Sequence, residues 1–281
     1  MQKIAMVGLG IIGSAWAKNL AADGLSVRGW NRSRKDFPFY EPDLGRAVAD
    51  AEMIFIVVAD PPAVEAVLKE ITPRLKPGQL VAQSSTISAR WSKEFARQVE
   101  ATGAVFLEAP FTGSKPAAEA RKTVFYLGGT TGAVEAARPV LSRLSAHILH
   151  IGPLGTASSL KLAMNLNLAL MAESLGESLT LARSEGISDE IFFEALHLNA
   201  GRSGLSDLKE SKFRSGDFAP QFSLKHMNKD LRLALETAGE LELPLAVRLK
   251  SFYDNGMAIG FADDDFIGQI RLLADAKEKA K

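Results

Sequence analysis

Residues 3–24, KIAMVGLGIIGSAWAKNLAADG, read as a short apolar strand, a glycine turn and the opening of a helix. The glycines at positions 8, 10 and 13 have the G-x-G-x-x-G spacing. In that arrangement the first glycine permits the tight turn, and the second lets a pyrophosphate approach backbone N–H groups. The third lets the helix pack closely on the strand. The loop Gly8, Leu9, Gly10, Ile11, Ile12 and Gly13 is therefore expected to hold a dinucleotide at a helix N-terminus.

Outward from this loop the pattern repeats. The apolar runs KIAMVG, SVRGWN, MIFIVVAD, LVAQSST, VFLEAPF, VFYLGG and HILHIG are predicted strands. Most of the segments between them, such as PAVEAVLKEITPRL and SARWSKEFARQVEATG, have helical character. That alternation predicts a largely parallel sheet covered on both faces. After Gly155 strand signals stop, and a helix of nearly thirty residues is predicted from Ala157 to Glu185. The expected fold is α/β: a Rossmann-type, doubly wound domain over 1–155, then a long interdomain helix opening an all-α domain over 156–281.

The end of the second predicted strand selects the dinucleotide. An acid there would accept hydrogen bonds from a ribose 2′-hydroxyl and repel a 2′-phosphate. The chain instead has WNRSRK, with Asn31, Arg32, Ser33 and Arg34. A guanidinium and a hydroxyl suit a phosphate, so NADP(H) is expected in preference to NAD(H).

Composition narrows the rest. Thirty-three Lys and Arg balance thirty-three Asp and Glu, which gives no global field for nucleic acid or anionic membrane. Cysteine is absent, which excludes disulfides and thiolate chemistry and fits a cytoplasmic protein. The N-terminal run is broken by glycines and reads as a strand and turn rather than a signal peptide. The longest apolar tract, Leu160 to Ala172, contains Lys161, Asn165 and Asn167 and is short of the ~20 residues that span a bilayer. His147 and His150 lie on a predicted strand, and His197 and His226 have no carboxylates at ligand spacing, so no metal is expected. Ser158 and Ser159 read as helix-capping residues.

Lys161 is the anomaly. An ammonium in the first turns of an apolar helix is opposed by the helix dipole and by lost hydration. Asn165, four residues on, shares its face, so both can reach one carbonyl oxygen. Burial and the helix N-terminus would draw the lysine pKa toward neutrality, as suits a group that must give up a proton.

Four stretches in order, GLGIIG, EAPFTGSKPAAEA, GPLGTASSLKLAMN and FSLKHMNKDLRLAL, resemble the beta-hydroxyacid dehydrogenase family. Within it the likeness is greatest to the glyoxylate and succinic semialdehyde reductases. The resemblance implies a Rossmann domain, an interdomain helix with a catalytic lysine at Lys161 and its companion amide at Asn165, and a helical domain that dimerises. It also implies that Thr112, Gly113 and Ser114 receive a substrate carboxylate and that Phe222 and Asp230 belong to the helical wall. Val58, Ala59, Asp60, Thr86 and Lys229 are implied to approach the cofactor. Asp230 alternatively reads as a simple ion-pair partner of Lys225 or Lys229.

The chain departs from the family at several points. Thr112 stands where Ser is usual, Ala157 and Arg121 stand where Gly is common, and the segment from Asn31 to Ala51 is short. The resemblance implies an NADPH-dependent reductase of small carboxylated aldehydes, working as a cytoplasmic homodimer without metal, nucleic acid or membrane. The alternatives are a 3-hydroxyisobutyrate-type dehydrogenase, an imine reductase, against which the Lys and Asn pair counts, and a non-catalytic dinucleotide-binding scaffold.

Overall fold

Alternate residues of the first strand face different cores, and this organises the N-terminal half. The computed structural model describes residues 2–273, and within them the chain divides into two compact units after Leu162. The first unit opens with β1 (Lys3–Val7), α1 (Ile11–Ala22), β2 (Ser26–Trp30), α2 (Leu44–Val48), β3 (Met53–Ile56) and α3 (Pro61–Ile71). It continues with β4 (Leu80–Gln83), α4 (Ala89–Glu100), β5 (Val105–Glu108), β6 (Phe111–Thr112), α5 (Lys115–Glu119), β7 (Thr123–Gly128), α6 (Thr131–Leu141) and β8 (Ser145–Gly152).

Strands run in the order β2-β1-β3-β4-β5-β7-β6, with β8 also pairing with β7. The pairs among β1 to β5 are parallel, β7 is antiparallel to β5 and β6, and β8 is parallel to β7. Ile4 and Met6 pack into one core with Trp16 and Leu20 of α1, while Ala5 and Val7 pack into the other with Val64 and Leu68 of α3. A fully buried Val, Leu, Ile or Met among these is worth roughly 1.5–3 kcal/mol. All seven predicted strands are present; β6, with two residues, is too short for a periodic signal.

The short segment after β2 forms no full helix. Residues 37–41 run beside the edge strand instead, where Gly29 N–H donates to Phe39 at 2.7 Å and Glu41 N–H donates to Gly29 at 2.8 Å. This occupies backbone groups that an edge strand would leave open. The five-residue α2 follows, capped by Asp43.

The unit boundary falls inside α7 (Thr156–Ser184), the long predicted helix. The second unit adds α8 (Asp189–His197), α9 (Gly204–Ser215), α10 (Leu224–Ala238) and α11 (Pro244–Ala258). Ala169, Ala172 and Leu179 of α7 pack with Phe193, Phe213, Met227, Leu249 and Tyr253 in a separate core. A buried ion pair lies in this unit: Lys209 Nζ is 2.8 Å from both oxygens of Asp265, and Asp265 also accepts from Gln221 N–H at 2.9 Å. Burial draws the Lys209 ammonium below its usual range, against the pull of Asp265. Among the described residues no helix is long and apolar enough to cross a membrane.

Candidate functional site

The glycine loop follows β1 and opens α1. Gly8 has φ +108°, and a Cβ there would lie 2.1 Å from the Val57 carbonyl oxygen. A Cβ on Gly13 would lie 2.0 Å from the Gly8 oxygen. Around Gly10 a Cβ would meet nothing within 4 Å, and no side chain caps α1 there. The first and third glycines thus serve the chain's own packing. The second keeps clear the approach to a bare helix N-terminus, a cradle that fits a pyrophosphate.

The neighbouring strand ends complete this edge. Asn31 accepts from Leu9 N–H at 3.1 Å and donates to the Ser33 carbonyl and hydroxyl at 2.9 and 3.0 Å, so it braces the loop. Arg32, Ser33 and Arg34 are exposed. After β3, Val58 N–H donates to the Ser85 hydroxyl at 2.8 Å, Ala59 is exposed, and Asp60 caps α3 by accepting from Ala63 N–H at 2.9 Å. Thr86 follows β4 and is half-buried. All of these residues lie beyond the carboxyl ends of parallel strands, where open α/β sheets bind ligands.

Thr112 pairs with Val124 on β7, Gly113 has φ +132°, and Ser114 is the N-cap position of α5 without bonding to that helix through its side chain. The exit of this segment is clamped by Arg121, the only non-glycine residue with positive φ among those described, at +59°. Its guanidinium donates to both oxygens of Asp23, at 2.7 and 2.9 Å, and to the carbonyls of Arg143 and Asn19. A left-handed arginine is strained by about 1 kcal/mol or more, and these bonds offset that cost.

Lys161 is half-buried in the first turns of α7, with Nζ 6.0 Å from the centroid of the Phe111 ring. Phe111 stands edge-on to the buried Trp16 at 4.7 Å, which fixes its orientation. The end of α7 is closed by Glu108, a fully buried acid on β5. Its Oε2 accepts from Gly155 N–H at 2.9 Å and Ala157 N–H at 3.2 Å, and its Oε1 accepts from the Ser158 hydroxyl at 2.6 Å. This corrects the capping assignment: Ser158 bonds to the capping carboxylate, and an acid far off in sequence does the capping. Gly128 makes room, since a Cβ there would lie 2.0 Å from Glu108 Oε2. Sequence reasoning passed over Glu108 and Phe111, although an acid ending an apolar strand is a signal in itself.

In the second unit Asn165 and Asp230, both buried, meet: Asn165 Nδ2 donates to Asp230 Oδ2 at 2.5 Å. Lys229 Nζ lies 2.7 Å from Asp230 Oδ1. Lys225, the other candidate partner, pairs with Asp263 instead. Phe222 stacks on His226 at 5.9 Å and stands edge-on to Phe266. His197, without carboxylates at ligand spacing in sequence, lies 3.0 Å from Glu210 across α8 and α9. Among the described residues no group of three or more acids and histidines is arranged to hold a metal.

The family model described as the NAD binding domain of 6-phosphogluconate dehydrogenase matches residues 3–152, more than half of the chain. A second, the NAD-binding region of NADP-dependent 3-hydroxyisobutyrate dehydrogenase, matches residues 155–273. The chain belongs to the beta-hydroxyacid dehydrogenase family. Among members of this family, glyoxylate/succinic semialdehyde reductase 2 of Arabidopsis thaliana is 29% identical over 98% of this chain and 80% of its own. The 2-(hydroxymethyl)glutarate dehydrogenase of Eubacterium barkeri is 28% identical, covering 96% and 94% of the two chains. The solved 3-hydroxyisobutyrate dehydrogenase of Mycobacterium tuberculosis superposes with a TM-score of 0.88 at 28% identity, over 97% and 99% of the chains. An imine reductase from Myxococcus stipitatus reaches 0.66 at 20% identity, a likeness of fold alone. This beta-hydroxyacid dehydrogenase relative is thus an NAD(P)-dependent oxidoreductase of the hydroxyacid dehydrogenase type.

Proposed function

We propose that the protein reduces small carboxylated aldehydes of the succinic semialdehyde and glyoxylate type to hydroxyacids, with NADP(H) as its cofactor. The observation that carries this reading is the pair on α7: Lys161, and one turn on Asn165, whose amide is held at 2.5 Å by buried Asp230.

The loop from Gly8 to Gly13 would hold the pyrophosphate, with Val58, Ala59, Asp60, Thr86 and Lys229 along the cofactor. Arg32 and Ser33, exposed at the end of β2, would hold the 2′-phosphate, and Asn31 keeps them in register with the loop. When bound, the nicotinamide supplies a hydride to the carbonyl carbon in reduction, or takes one in oxidation. Lys161 delivers a proton from Nζ to the carbonyl oxygen, and in the reverse direction removes it. Asn165 donates to the same oxygen from an amide whose rotamer Asp230 fixes. Thr112, Gly113 and Ser114 receive the carboxylate, and Phe222 limits the space for the substrate chain.

Self-association belongs to the same reading. The second unit exposes Leu181, Ile191, Leu198, Leu241 and Leu245, each more than half accessible, and a homodimer would cover such surface.

Steady-state kinetics with NADPH and NADH, across glyoxylate, succinic semialdehyde, tartronate semialdehyde and methylmalonate semialdehyde, tests the assignment. The expected result is reduction with NADPH at a kcat/KM at least ~10-fold above NADH, from one charge-assisted phosphate contact. Equal use of both cofactors would remove the phosphate assignment. Efficient oxidation of 3-hydroxyisobutyrate with little aldehyde reduction would favour the dehydrogenase reading, to which the Mycobacterium tuberculosis neighbour is similar.

A further inference from the structure

We propose that Glu108 is a positioning residue that sets the pH range over which Lys161 holds its proton, by closing the N-terminus of α7 with a negative charge. The proposal rests on the reading of Lys161 as proton donor and deepens it.

A bare helix N-terminus carries about half a positive charge, which together with burial opposes an ammonium in the first turns. Here that end is not bare. The Glu108 carboxylate, fully buried, accepts from Gly155 N–H, Ala157 N–H and the Ser158 hydroxyl. One full negative charge outweighs the half charge of the dipole, so the local field changes sign and favours the ammonium. Lys161 lies one turn beyond Ala157 on the same helix. At an effective dielectric near 20, a unit charge about 10 Å from a titrating group moves its titration by up to about one pH unit, which sets the scale of the effect expected from a charge at this helix end.

Two features separate this from ordinary capping. An exposed Ser, Thr or Asp next to the helix would cap it as well, whereas this acid is buried on a distant strand. Space is also reserved for it, since any side chain at Gly128 would strike Oε2. Besides Glu108 from β5, Lys93 of α4 approaches this turn on its exposed side, its Cε 2.9 Å from where a Cβ on Gly155 would stand. From β6 the Phe111 ring approaches Lys161 and carries no charge. Lys229 and Asp230 are unaltered in the variants below.

Glu108→Gln isolates the charge. The amide oxygen takes over the two N–H bonds and the amide nitrogen donates to Ser158, so the bonding can survive while the charge is lost. In reduction, activity falls as Lys161 deprotonates, and that alkaline limb is expected to move down by about 0.5–1 pH unit in Glu108→Gln. The acid limb of the oxidative reaction, which needs the free amine, is expected to move down equally. Ser158→Ala removes a bond and keeps the charge, so its limb should stay within ~0.2 unit of the parent. Lys93→Gln, a change at an exposed position, should raise the limb by about 0.2–0.3 unit at low salt.

A folded Glu108→Gln protein with lowered kcat and unmoved limbs would overturn the proposal, leaving Glu108 a structural cap. Should Glu108→Gln fail to fold, a limb displaced by more than ~0.5 unit in Ser158→Ala, which keeps the charge and loses only a bond, overturns it. Full activity in Lys161→Ala would instead refute the proton-donor reading, a separate outcome.

Discussion

The first unit has two helix N-termini that face the same electrostatic problem and resolve it differently. At α1 the end is uncapped by any side chain, and the position of a Cβ on Gly10 is open. At α7 the end is filled by Glu108, which accepts three hydrogen bonds and for which Gly128 leaves room. Any helix N-terminus brings a partial positive charge and N–H groups that have no partner within the helix. The open one suits an anion arriving from solvent. The closed one carries its anion within the fold and leaves the helix free to bear a lysine where a lysine is otherwise disfavoured.

The largest expected effect tests what the closed end serves. Lys161→Ala should lower kcat by about 10³-fold while NADPH binding, read by fluorescence titration, stays within about twofold. Retained turnover would leave the Glu108 arrangement with nothing catalytic to support. Next come the glycines of the open end. Gly13→Ala forces a Cβ to 2.0 Å from the Gly8 oxygen and should cost about 2–3 kcal/mol in urea unfolding. Gly10→Ala should change stability by less than about 1 kcal/mol yet weaken NADPH binding roughly 10-fold. If both lost stability alike, the distinction between packing glycine and ligand glycine would break.

Arg32→Ala sharpens the same contrast at the proposed 2′-phosphate site: NADPH affinity is expected to fall roughly 10-fold with NADH affinity unchanged. The smallest effect concerns a half-buried acid within α7, Glu173. Glu173 accepts from the Gln269 amide at 3.2 Å, and burial raises its pKa to about 7, with Gln269 opposing and Glu177 adding to the rise. Between the ordinary value of 4.5 and about 7 the folded chain holds a proton that the unfolded chain has lost. Stability therefore falls as pH rises through that window and levels off above it, by about 1 kcal/mol after allowance for partial exposure. Glu173→Gln should flatten this slope in a series of melting temperatures from pH 5 to 8.

Much of this was legible in the residues. The glycine spacing, the alternation of strands and helices and the long helix with Lys161 and Asn165 all lie in local pattern, and the structure has them where pattern placed them. What escaped had partners far along the chain. Glu108 meets Gly155, and Asn165 meets Asp230 across 65 residues. The left-handed backbone of Arg121 shows only in the fold, where Asp23 and two carbonyls receive its guanidinium. The choice between Lys225 and Lys229 as partner of Asp230 was likewise open until Asp263 was seen to take Lys225.

By itself the sequence determined which segments are strands and helices, that a glycine turn opens α1, and that a lysine sits in the first turns of α7. These depend on periodicity and on backbone sterics that act within a few residues. Only the tertiary structure decided which acid closes α7, which amide and carboxylate pair in the second unit, and which of the three glycines leaves room for a ligand. Burial and hydrogen-bond geometry fix those outcomes, and both arise only when distant segments of chain are brought together.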